Sequence, residues 1–309
     1  MKIIGTGDLH FISQRPRNRT DDYIQTQTEK LLYVMNYARS LREKEIFICF
    51  PGDVFNSPDA PYSLYQHWAQ FLKGNPLVTI FVVFGQHDLR YRTAKENTPL
   101  YALHSSGFVH ILDESPVHVK RSPIEKDYMN VSFYGASFGA PVPKIQEPKH
   151  FNVLVIHEMI IDEKLWDGQE EYTLASRLLR EHKYNLIISG DNHSFFTQEH
   201  RGKVLINCGS LMRSTIAQVD HKPQFISFDV DSGEYLIESI PIKPIEEVMN
   251  LDIARKEKEK DEKIEAFVDG LEEDVEIELD FQRDIESYME ANKIEKDTRN
   301  IVRECMEEE

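Results

Sequence analysis

Asp and His side chains stand in pairs, one residue apart, at two places in the chain. Asp8-Leu9-His10 follows a short apolar run near the start, and Asp191-Asn192-His193 follows another run much later. In an extended segment, residues two positions apart point to the same side. Each pair can therefore offer a carboxylate oxygen and an imidazole nitrogen to one ion. Such a ligand set, without thiolates, suits Mn²⁺, Fe²⁺, Zn²⁺ or Mg²⁺.

Polar groups of the same kinds follow three more apolar runs. These groups are Gly52-Asp53, Gly85-Gln86-His87-Asp88 and His157-Glu158. A single histidine near a strand end is ordinarily a structural or surface residue, but packing alone does not explain five runs that all end in such groups. Because equivalent ends of parallel strands meet at one edge of a sheet, we expect these side chains to converge.

The elements that must position these groups alternate between strands and helices. Strands are predicted at residues 3–4, 46–50, 78–84, 153–156 and 186–188. Helices are predicted at 20–43, 61–73 and 172–183, with Thr20 or Asp21 as the N-cap of the first. This alternation is typical of an α/β domain with a largely parallel sheet. From about residue 115, shorter strands and a hairpin turn at 231–233 predict a second, more antiparallel sheet.

The charge of the chain is unevenly distributed. The net charge is −17 over 309 residues, and residues 241–309 hold 11 basic and 24 acidic residues, a net charge of −13. Residues 1–240 therefore carry only −4 and can approach a phosphate backbone. We predict a catalytic domain at residues 1–245 and an acidic, mainly helical extension at 246–309 that caps this domain or binds a partner.

The composition also indicates a compartment. No uncharged apolar run approaches the roughly 20 residues needed to cross a bilayer, and the first ten residues include Gly, Asp and His, which is not typical of a signal peptide. Cys49, Cys208 and Cys305 are scattered without a CxxC, which excludes a thiolate zinc site and fits a reducing environment. We expect a cytoplasmic protein, of a bacterial or phage-infected cell, that does not contact membranes.

Taken in order, the five blocks resemble the signature of the calcineurin-like metallophosphoesterases. That signature runs Asp-x-His, Gly-Asp, Gly-Asn-His-Asp, His and Gly-His-x-His, and the resemblance covers roughly residues 1–240. Within the superfamily, Gly52-Asp53-Val54-Phe55 and residues 207–213 are similar to the SbcD-type DNA repair nucleases and their bacteriophage recombination relatives. The resemblance implies a four-layer α/β/β/α sandwich with a small α-rich C-terminal extension.

The resemblance also implies two divalent ions. Matched motif by motif, the first ion is held by Asp8, His10, Asp53 and His193, and the second by Asp53, Gln86, His157 and Asp191. Two ions about 3.5–4 Å apart lower the pKa of bound water and clamp the attacking and departing oxygens of a phosphoryl displacement.

The same matching gives roles to four further side chains. His87 is expected to contact the scissile phosphate or to protonate the leaving oxygen, and Asp88 to orient His87. Asn56 and Arg213 are expected to contact the substrate.

Two departures from the signature both fall on the second ion. Gln86 replaces an asparagine and adds one methylene, and Asp191 replaces a histidine. A hard carboxylate oxygen favours Mn²⁺ or Mg²⁺ over Zn²⁺, so we expect two divalent ions, Mn²⁺ first and Mg²⁺ as the alternative. Because both replacements can still bind metal, we interpret the second site as retuned; the competing interpretation is a degraded site.

The function that the resemblance implies is metal-dependent DNA hydrolysis in repair or recombination, with an SbcC-type, SMC-like coiled-coil ATPase as partner of the extension. One alternative is a phosphatase or phosphodiesterase that acts on a protein or a small nucleotide. Another is a non-catalytic scaffold with a weakened second metal site. Apolar side chains in residues 64–72 and 97–105 could form a homodimer face, although core packing is the preferred interpretation.

Overall fold

The computed structural model describes residues 1–43, 45–76, 78–112, 115–120, 129–164, 169, 172–256 and 258–260. Within these ranges the strands are β1 Lys2–Gly5, β2 Ile46–Phe50, β3 Thr79–Val82, β4 His110–Ile111, β5 Val117–Val119, β6 Val131–Ala136, β7 Phe151–His157, β8 Ile160–Ile161, β9 Thr173–Leu174, β10 Leu186–Gly190, β11 Phe196–His200, β12 Lys203–Asn207, β13 Gln224–Asp229 and β14 Tyr235–Ser239. The helices are α1 Tyr23–Ser40, α2 Tyr62–Lys73, α3 Pro99–Ser105, α4 Ala175–Glu181 and α5 Ile245–Val248, with a 3₁₀ turn at Ile216–Gln218.

Two six-stranded sheets form the centre of the described part of the chain. The first has the order β14-β13-β1-β2-β3-β4, with β1 to β4 parallel to one another, β13 antiparallel to β1, and β14 antiparallel to β13. The second has the order β11-β12-β10-β7-β6-β5, in which the four central strands are parallel and both edge strands are antiparallel. The expectation of one parallel sheet followed by a more antiparallel one was therefore wrong, because the fourth and fifth predicted strands, β7 and β10, belong to the second sheet.

The sheets pack face to face, with helices on both outer sides. Consecutive residues of one strand face opposite layers: Ile3 lies between the sheets, whereas Ile4 packs with the helices that cover the first sheet. Leu154 and Val155 divide in the same way, with Leu154 packed beside helix α4 and Val155 between the sheets. Strands that are buried on both faces have continuous apolar sequences. The four-layer α/β/β/α sandwich is confirmed.

Helix α1 begins later than predicted. Its N-cap is Asp22, whose carboxylate accepts a hydrogen bond from the Gln25 backbone N–H at 3.1 Å. Neither Thr20 nor Asp21 takes this role, so that prediction was wrong. The Asp21 carboxylate is engaged by the Arg19 guanidinium at 2.9 and 2.7 Å, and it is therefore not available to cap the helix.

Residues near 250 contact the segment that precedes helix α1. Residues 1–254 form one compact unit, within which Thr20 N donates to Val248 O at 3.0 Å and Asn250 N to Asn18 O at 2.7 Å. Most of the predicted extension, residues 246–309, lies outside the described residues. The domain boundary and the role of the extension stay predictions.

The apolar side chains that were considered for a dimer face are used in the core. Leu64, Trp68, Leu100 and Leu103 are buried and belong to one hydrophobic cluster with helix α1. A homodimer stays a prediction. Among the described residues, no helix combines the length and the apolar composition that crossing a bilayer requires.

Candidate metal centre

The ends of five strands from both sheets meet at one place. Asp8 and Asp53 follow β1 and β2 of the first sheet, and His157 is the last residue of β7 in the second sheet. The Nδ1 atom of His157 lies 3.9 Å from Asp8 Oδ1, and its Nε2 atom lies 3.5 Å from Asp53 Oδ2. Convergence of the five motifs therefore takes place across the gap between two sheets, not along one edge of a single sheet.

The four side chains predicted for the first ion are close neighbours. His10 Nε2 lies 3.1 Å from His193 Nε2 and 3.7 Å from Asp53 Oδ2, and His193 Nε2 lies 3.5 Å from Asp8 Oδ2. Burial lowers the pKa of His10 to about 4, and partial desolvation of the His193 ring, which stays 45% exposed, lowers the pKa of His193 as well. Both rings are thus neutral at pH 7, and a neutral ring nitrogen can offer its lone pair to a cation.

The side chains predicted for the second ion also meet. Gln86 Oε1 lies 2.6 Å from His157 Nε2, and Gln86 Nε2 donates to Asp191 Oδ1 at 2.8 Å. His157 Nδ1 lies 2.7 Å from Pro51 O, so this nitrogen donates to the carbonyl and turns Nε2 towards Asp53, Gln86 and Asp191. A backbone carbonyl that fixes a histidine in this way is a common feature of metal sites.

The buried carboxylates fit a divalent cation. Asp8 and Asp53 are 0% and 1% exposed. Each has one oxygen held by a backbone amide, Asp8 Oδ2 by Asp191 N and Asp53 Oδ1 by His87 N, both at 2.9 Å. The other oxygens, Asp8 Oδ1 and Asp53 Oδ2, are buried and have no hydrogen-bond partner in the described part of the chain. Buried anionic oxygens without partners are costly unless a positive charge lies beside them.

The pKa shifts of Asp8, Asp53 and His157 also indicate that the centre requires positive charge. Burial raises the pKa of Asp8 well above its ordinary value. Burial alone would also raise that of Asp53, but the nearby charged His157 ring, 3.5 Å from Asp53 Oδ2, lowers the pKa of Asp53. Burial opposes protonation of His157, yet the close carboxylate of Asp53 and the charges of Asp8 and Asp191 raise the pKa of His157 to about 10. A proton on His157 thus supplies the charge that a cation would replace.

Backbone geometry at the centre is unusual. His10, Asp53 and Asp191 have φ values of 44°, 45° and 84°, in the left-handed region that costs non-glycine residues roughly 1–3 kcal/mol each and that clusters at functional sites. Gly85 permits a close approach, because a Cβ atom there would lie 2.0 Å from Asp53 Oδ1. Gly52, with φ of 111°, leaves room for His157 in the same way: a Cβ atom would lie 2.4 Å from its Nδ1.

Asp88 makes contacts other than those expected. Its carboxylate is 1% exposed and accepts hydrogen bonds from the backbone amides of Val54, Phe55 and Gly85 at 3.2, 2.9 and 3.0 Å. In the structure His87 is oriented by Asn56, whose carbonyl oxygen lies 3.2 Å from His87 Nδ1. Asp88 thus fixes the loops after β2 and β3, and its predicted role in orienting His87 stays a prediction.

Of the two side chains expected to contact substrate, only one borders the centre. A cleft of about 400 Å³, called the metal cleft below, is lined by Asp8, His10, Asn56, His87, His193 and Gln218 among others. Arg213 lines a different cavity, is 5% exposed, and donates to Lys243 O at 2.6 Å. The side chain of Arg213 therefore lies away from the metal cleft, and its role in binding substrate stays a prediction.

Residues 1–195, which include all seven predicted ligands, match the family model described as calcineurin-like phosphoesterase. The chain belongs to this family. None of the curated proteins matches the chain in sequence. Among solved structures, the protein TT1561 of Thermus thermophilus is similar at 11% identity and a TM-score of 0.48, covering 78% of this chain and 99% of its own. An archaeal phosphodiesterase is similar at 12% identity and a TM-score of 0.40, with 77% and 99% covered.

As a calcineurin-like phosphoesterase, the chain is a phosphoester hydrolase of a metal-binding family. Its two departures from the family signature are in direct contact with each other through the bond from Gln86 Nε2 to Asp191 Oδ1. The longer glutamine reaches the carboxylate and at the same time keeps its carbonyl oxygen at His157. The structure therefore links two substitutions that are 105 positions apart in the chain.

Sequence reasoning missed a buried residue that supports the loop carrying His193. Asn207, at the end of β12, is fully buried, and its Nδ2 atom donates to Asn192 O at 2.6 Å and Ser194 O at 2.7 Å. These two bonds fix the loop on either side of His193. The available signal was a polar residue at the end of an apolar strand, the same signal that identified the ligands.

Proposed function

We propose that this phosphoesterase is a metal-dependent deoxyribonuclease that cleaves the phosphodiester bonds of DNA. The observation that carries the proposal is the exposure of the metal cleft: Asn56, His87, His193 and Thr215 line it and are exposed. A reactive centre in an open surface cleft can accept one phosphodiester of a long chain. An enclosed pocket would restrict the enzyme to small phosphates.

The loop after Asp88 offers groups that suit a nucleic acid. Tyr91 is 86% exposed, and Arg92 beside it is exposed as well. An exposed tyrosine can stack on a base, and an arginine can bind a backbone phosphate. Together with the small net charge of residues 1–240, these side chains support an oligonucleotide substrate.

The side chains of the centre have separable roles in this proposal. When bound, two divalent ions supply a water of lowered pKa and charge stabilisation at the phosphate. Asp8, Asp53, His10 and His193 would hold one ion, while Asp53 also serves the second with Gln86, His157 and Asp191. We propose Mn²⁺ as the ion and Mg²⁺ as the alternative, because oxygen ligands dominate the second site.

In this proposal His87 exchanges a proton with the substrate. Its Nδ1 atom is engaged by Asn56 O at 3.2 Å, which leaves Nε2 for a phosphate or leaving-group oxygen. The ring lies at the mouth of the centre, with its centroid 5.1 Å from that of His10. We therefore assign His87 to contact the scissile phosphate or protonate the leaving oxygen, and Asn56 to position it.

The proposed partner is an SbcC-type, SMC-like coiled-coil ATPase that acts with the nuclease in DNA repair or recombination. The acidic residues 241–309 would bind a basic surface of the ATPase and would be repelled by DNA. Co-purification of the full chain with such an ATPase, lost when residues 261–309 are removed while DNA cleavage is kept, would support this assignment.

The experiment that tests the nuclease proposal compares three substrates. The purified full chain, with Mn²⁺ or Mg²⁺, is given linear duplex DNA, single-stranded DNA and p-nitrophenyl phosphate. We expect digestion of DNA that is lost in Asp53→Asn and His87→Ala. Two matched changes at positions outside the centre, Glu234→Gln and His200→Ala, should leave digestion intact.

The other outcomes separate the alternatives. Hydrolysis of p-nitrophenyl phosphate without digestion of DNA would replace the nuclease with a phosphatase or small-molecule phosphodiesterase. Inactivity on all three substrates, with fewer than two ions bound per chain, would indicate a non-catalytic scaffold.

A further inference from the structure

A second cavity shares one segment of chain with the metal cleft. Met212 and Ser214 line the metal cleft, whereas Arg213 between them lines this second cavity. We call it the cationic cavity; its volume is about 150 Å³, and its walls include Arg19, Lys30, Tyr33, Arg213, Ile242 and Lys243.

Three of the basic side chains in its walls are buried. Arg19, Lys30 and Arg213 are 2%, 6% and 5% exposed, although lysine and arginine are rarely buried without an anionic partner. Arg19 has such a partner, because Asp21 accepts from its Nε and Nη2 atoms at 2.9 and 2.7 Å. Among the ion pairs of the described residues, Asp21 pairs with Arg19 and none joins a carboxylate to Lys30 or Arg213; Asp21 acts on both charges, and Glu246 on Arg213, only from a longer distance. Glu29 lines the cavity but is exposed and accepts from a neighbouring glutamine.

The two unpaired cations also have donors to spare. Lys30 Nζ donates to Leu211 O at 2.8 Å, although an ammonium can make three such bonds. Arg213 Nη2 donates to Lys243 O at 2.6 Å, while its Nε atom is buried without a hydrogen-bond partner among the described residues. Buried cationic donors of this kind are costly unless an anion accepts from them.

We propose that the cationic cavity binds a phosphate group, either as free phosphate or as the monoester of a nucleotide. Lysine supplies a point charge and arginine a planar fork, and both match tetrahedral oxyanions. A phosphate dianion would balance the charges of Lys30 and Arg213 together, which a single carboxylate would not. The cavity of about 150 Å³ is about ten times the roughly 10–15 Å³ that one water needs on this measure, so a phosphate group can enter it.

The titration of Lys30 is consistent with a missing anion. Burial, with the charges of Arg19 and Arg213, lowers the pKa of Lys30 to about 7, and the charge of Asp21 offsets only part of this. A phosphate beside the ammonium would favour its charged form. Since Lys30 and Arg19 donate to the carbonyls of Leu211 and Arg213, an occupied cavity would also steady the segment that borders the metal cleft.

The test measures phosphate binding with the metal centre out of action. The full chain is titrated by calorimetry in EDTA with inorganic phosphate, with deoxyadenosine 5′-monophosphate, and with deoxyadenosine, which lacks the phosphate. We expect a Kd below about 1 mM for at least one phosphate ligand and no binding of deoxyadenosine. Lys30→Met and Arg213→Met should each weaken binding at least about tenfold, the effect of losing roughly one charged hydrogen bond. Lys73→Met and Arg180→Met, which change exposed residues, and Asp53→Asn in the metal centre should leave the Kd unchanged.

Hydrogen exchange of the native chain gives an answer even if a variant does not fold. Phosphate should slow amide exchange in residues 19–31 and 211–218 and leave residues 52–56 and 85–92 unchanged. Tighter binding of the nucleotide would identify the monoester as the ligand, and equal binding would identify free phosphate. The proposal is overturned by absence of binding up to about 10 mM, by binding that survives both Lys30→Met and Arg213→Met, or by protection confined to the metal-centre loops.

Discussion

Substitutions at the contact between Gln86 and Asp191 can distinguish a retuned second metal site from a degraded one. We consider the substitutions Gln86→Asn and Asp191→His. Each single variant restores one family residue, and the double variant restores both. The Gln86 amide donates to the Asp191 carboxylate at 2.8 Å. Asparagine is shorter by one carbon–carbon bond, about 1.5 Å, so the contact would lengthen beyond the roughly 3.2 Å limit of an N–H···O bond.

The magnitude follows from the kind of bond that is lost. A hydrogen bond to a charged group contributes about 1.5–3 kcal/mol, and the same amide also places a carbonyl oxygen at His157. We therefore expect either single substitution to weaken the second ion about 10- to 100-fold, as loss of a supporting contact does at other metal sites. The double substitution should recover most of this loss, because asparagine and histidine together form the family's own ligand set.

The assay measures how many ions bind and with what affinity. Mn²⁺ titration by calorimetry separates the two binding steps, and hydrolysis of bis-p-nitrophenyl phosphate reports on the centre without depending on DNA recognition. Gln70→Asn, on the exposed face of α2, is the matched control and should change neither. A coupling energy of about 1.5–3 kcal/mol supports the paired site, whereas effects that add within about 0.5 kcal/mol refute it. If the native chain binds one ion, and neither substitution changes the affinity for that ion, the second site is degraded.

Three further predictions concern the supports of the centre and the cationic cavity. Gly85→Ala should abolish binding of both ions in calorimetry, because its Cβ would lie 2.0 Å from the shared ligand Asp53, whereas Gly74→Ala, with no atom nearer than 3.4 Å, should bind both. Asp88→Asn should lower the free energy of unfolding in urea by about 1–3 kcal/mol or more, since an amide nitrogen would face backbone N–H donors that lose their acceptor; an unchanged midpoint would contradict that support. Burial lowers the pKa of Lys30 from 10.5 to about 7, so between these values Lys30 makes a contribution to stability that rises with pH, opposite in sign to that of His157, whose pKa is raised to about 10. The native chain should therefore gain up to about 5 kcal/mol relative to Lys30→Met across this window, at 1.36 kcal/mol per unit, and parallel pH profiles of the two proteins would refute the assignment.

The residues of the metal centre could be predicted because each motif is local. Asp8, Asp53 and His157 each follow or end an apolar strand, and that position can be read from a few neighbouring residues. Which strands share a sheet is decided by pairings between distant segments, and these leave no mark on the strands themselves. The sequence therefore predicted that the groups converge, but not that β7 and β10 bring theirs from a second sheet.

Side-chain direction outside regular strands was harder to predict than ligand identity. Arg213 lies next to residues that line the metal cleft, yet its guanidinium enters the cationic cavity. Asp88 stands beside His87 in sequence, yet its carboxylate binds three backbone amides. In both places one peptide unit sets which way the side chain points, and that conformation depends on tertiary contacts that sequence adjacency does not reveal.

The ligands of the two predicted ions are held in different ways. This difference explains why both departures from the family signature, Gln86 and Asp191, lie at the second ion's site. On the first half, backbone amides hold Asp8 and Asp53, and Asn207 fixes the loop that carries His193. A change at Asp8 or Asp53 would leave a buried backbone amide without its acceptor. On the second half, Gln86 is held by the side chain of Asp191. Two side chains that support each other can be exchanged as a pair while the backbone stays in place, so the second ion is where substitution is least costly.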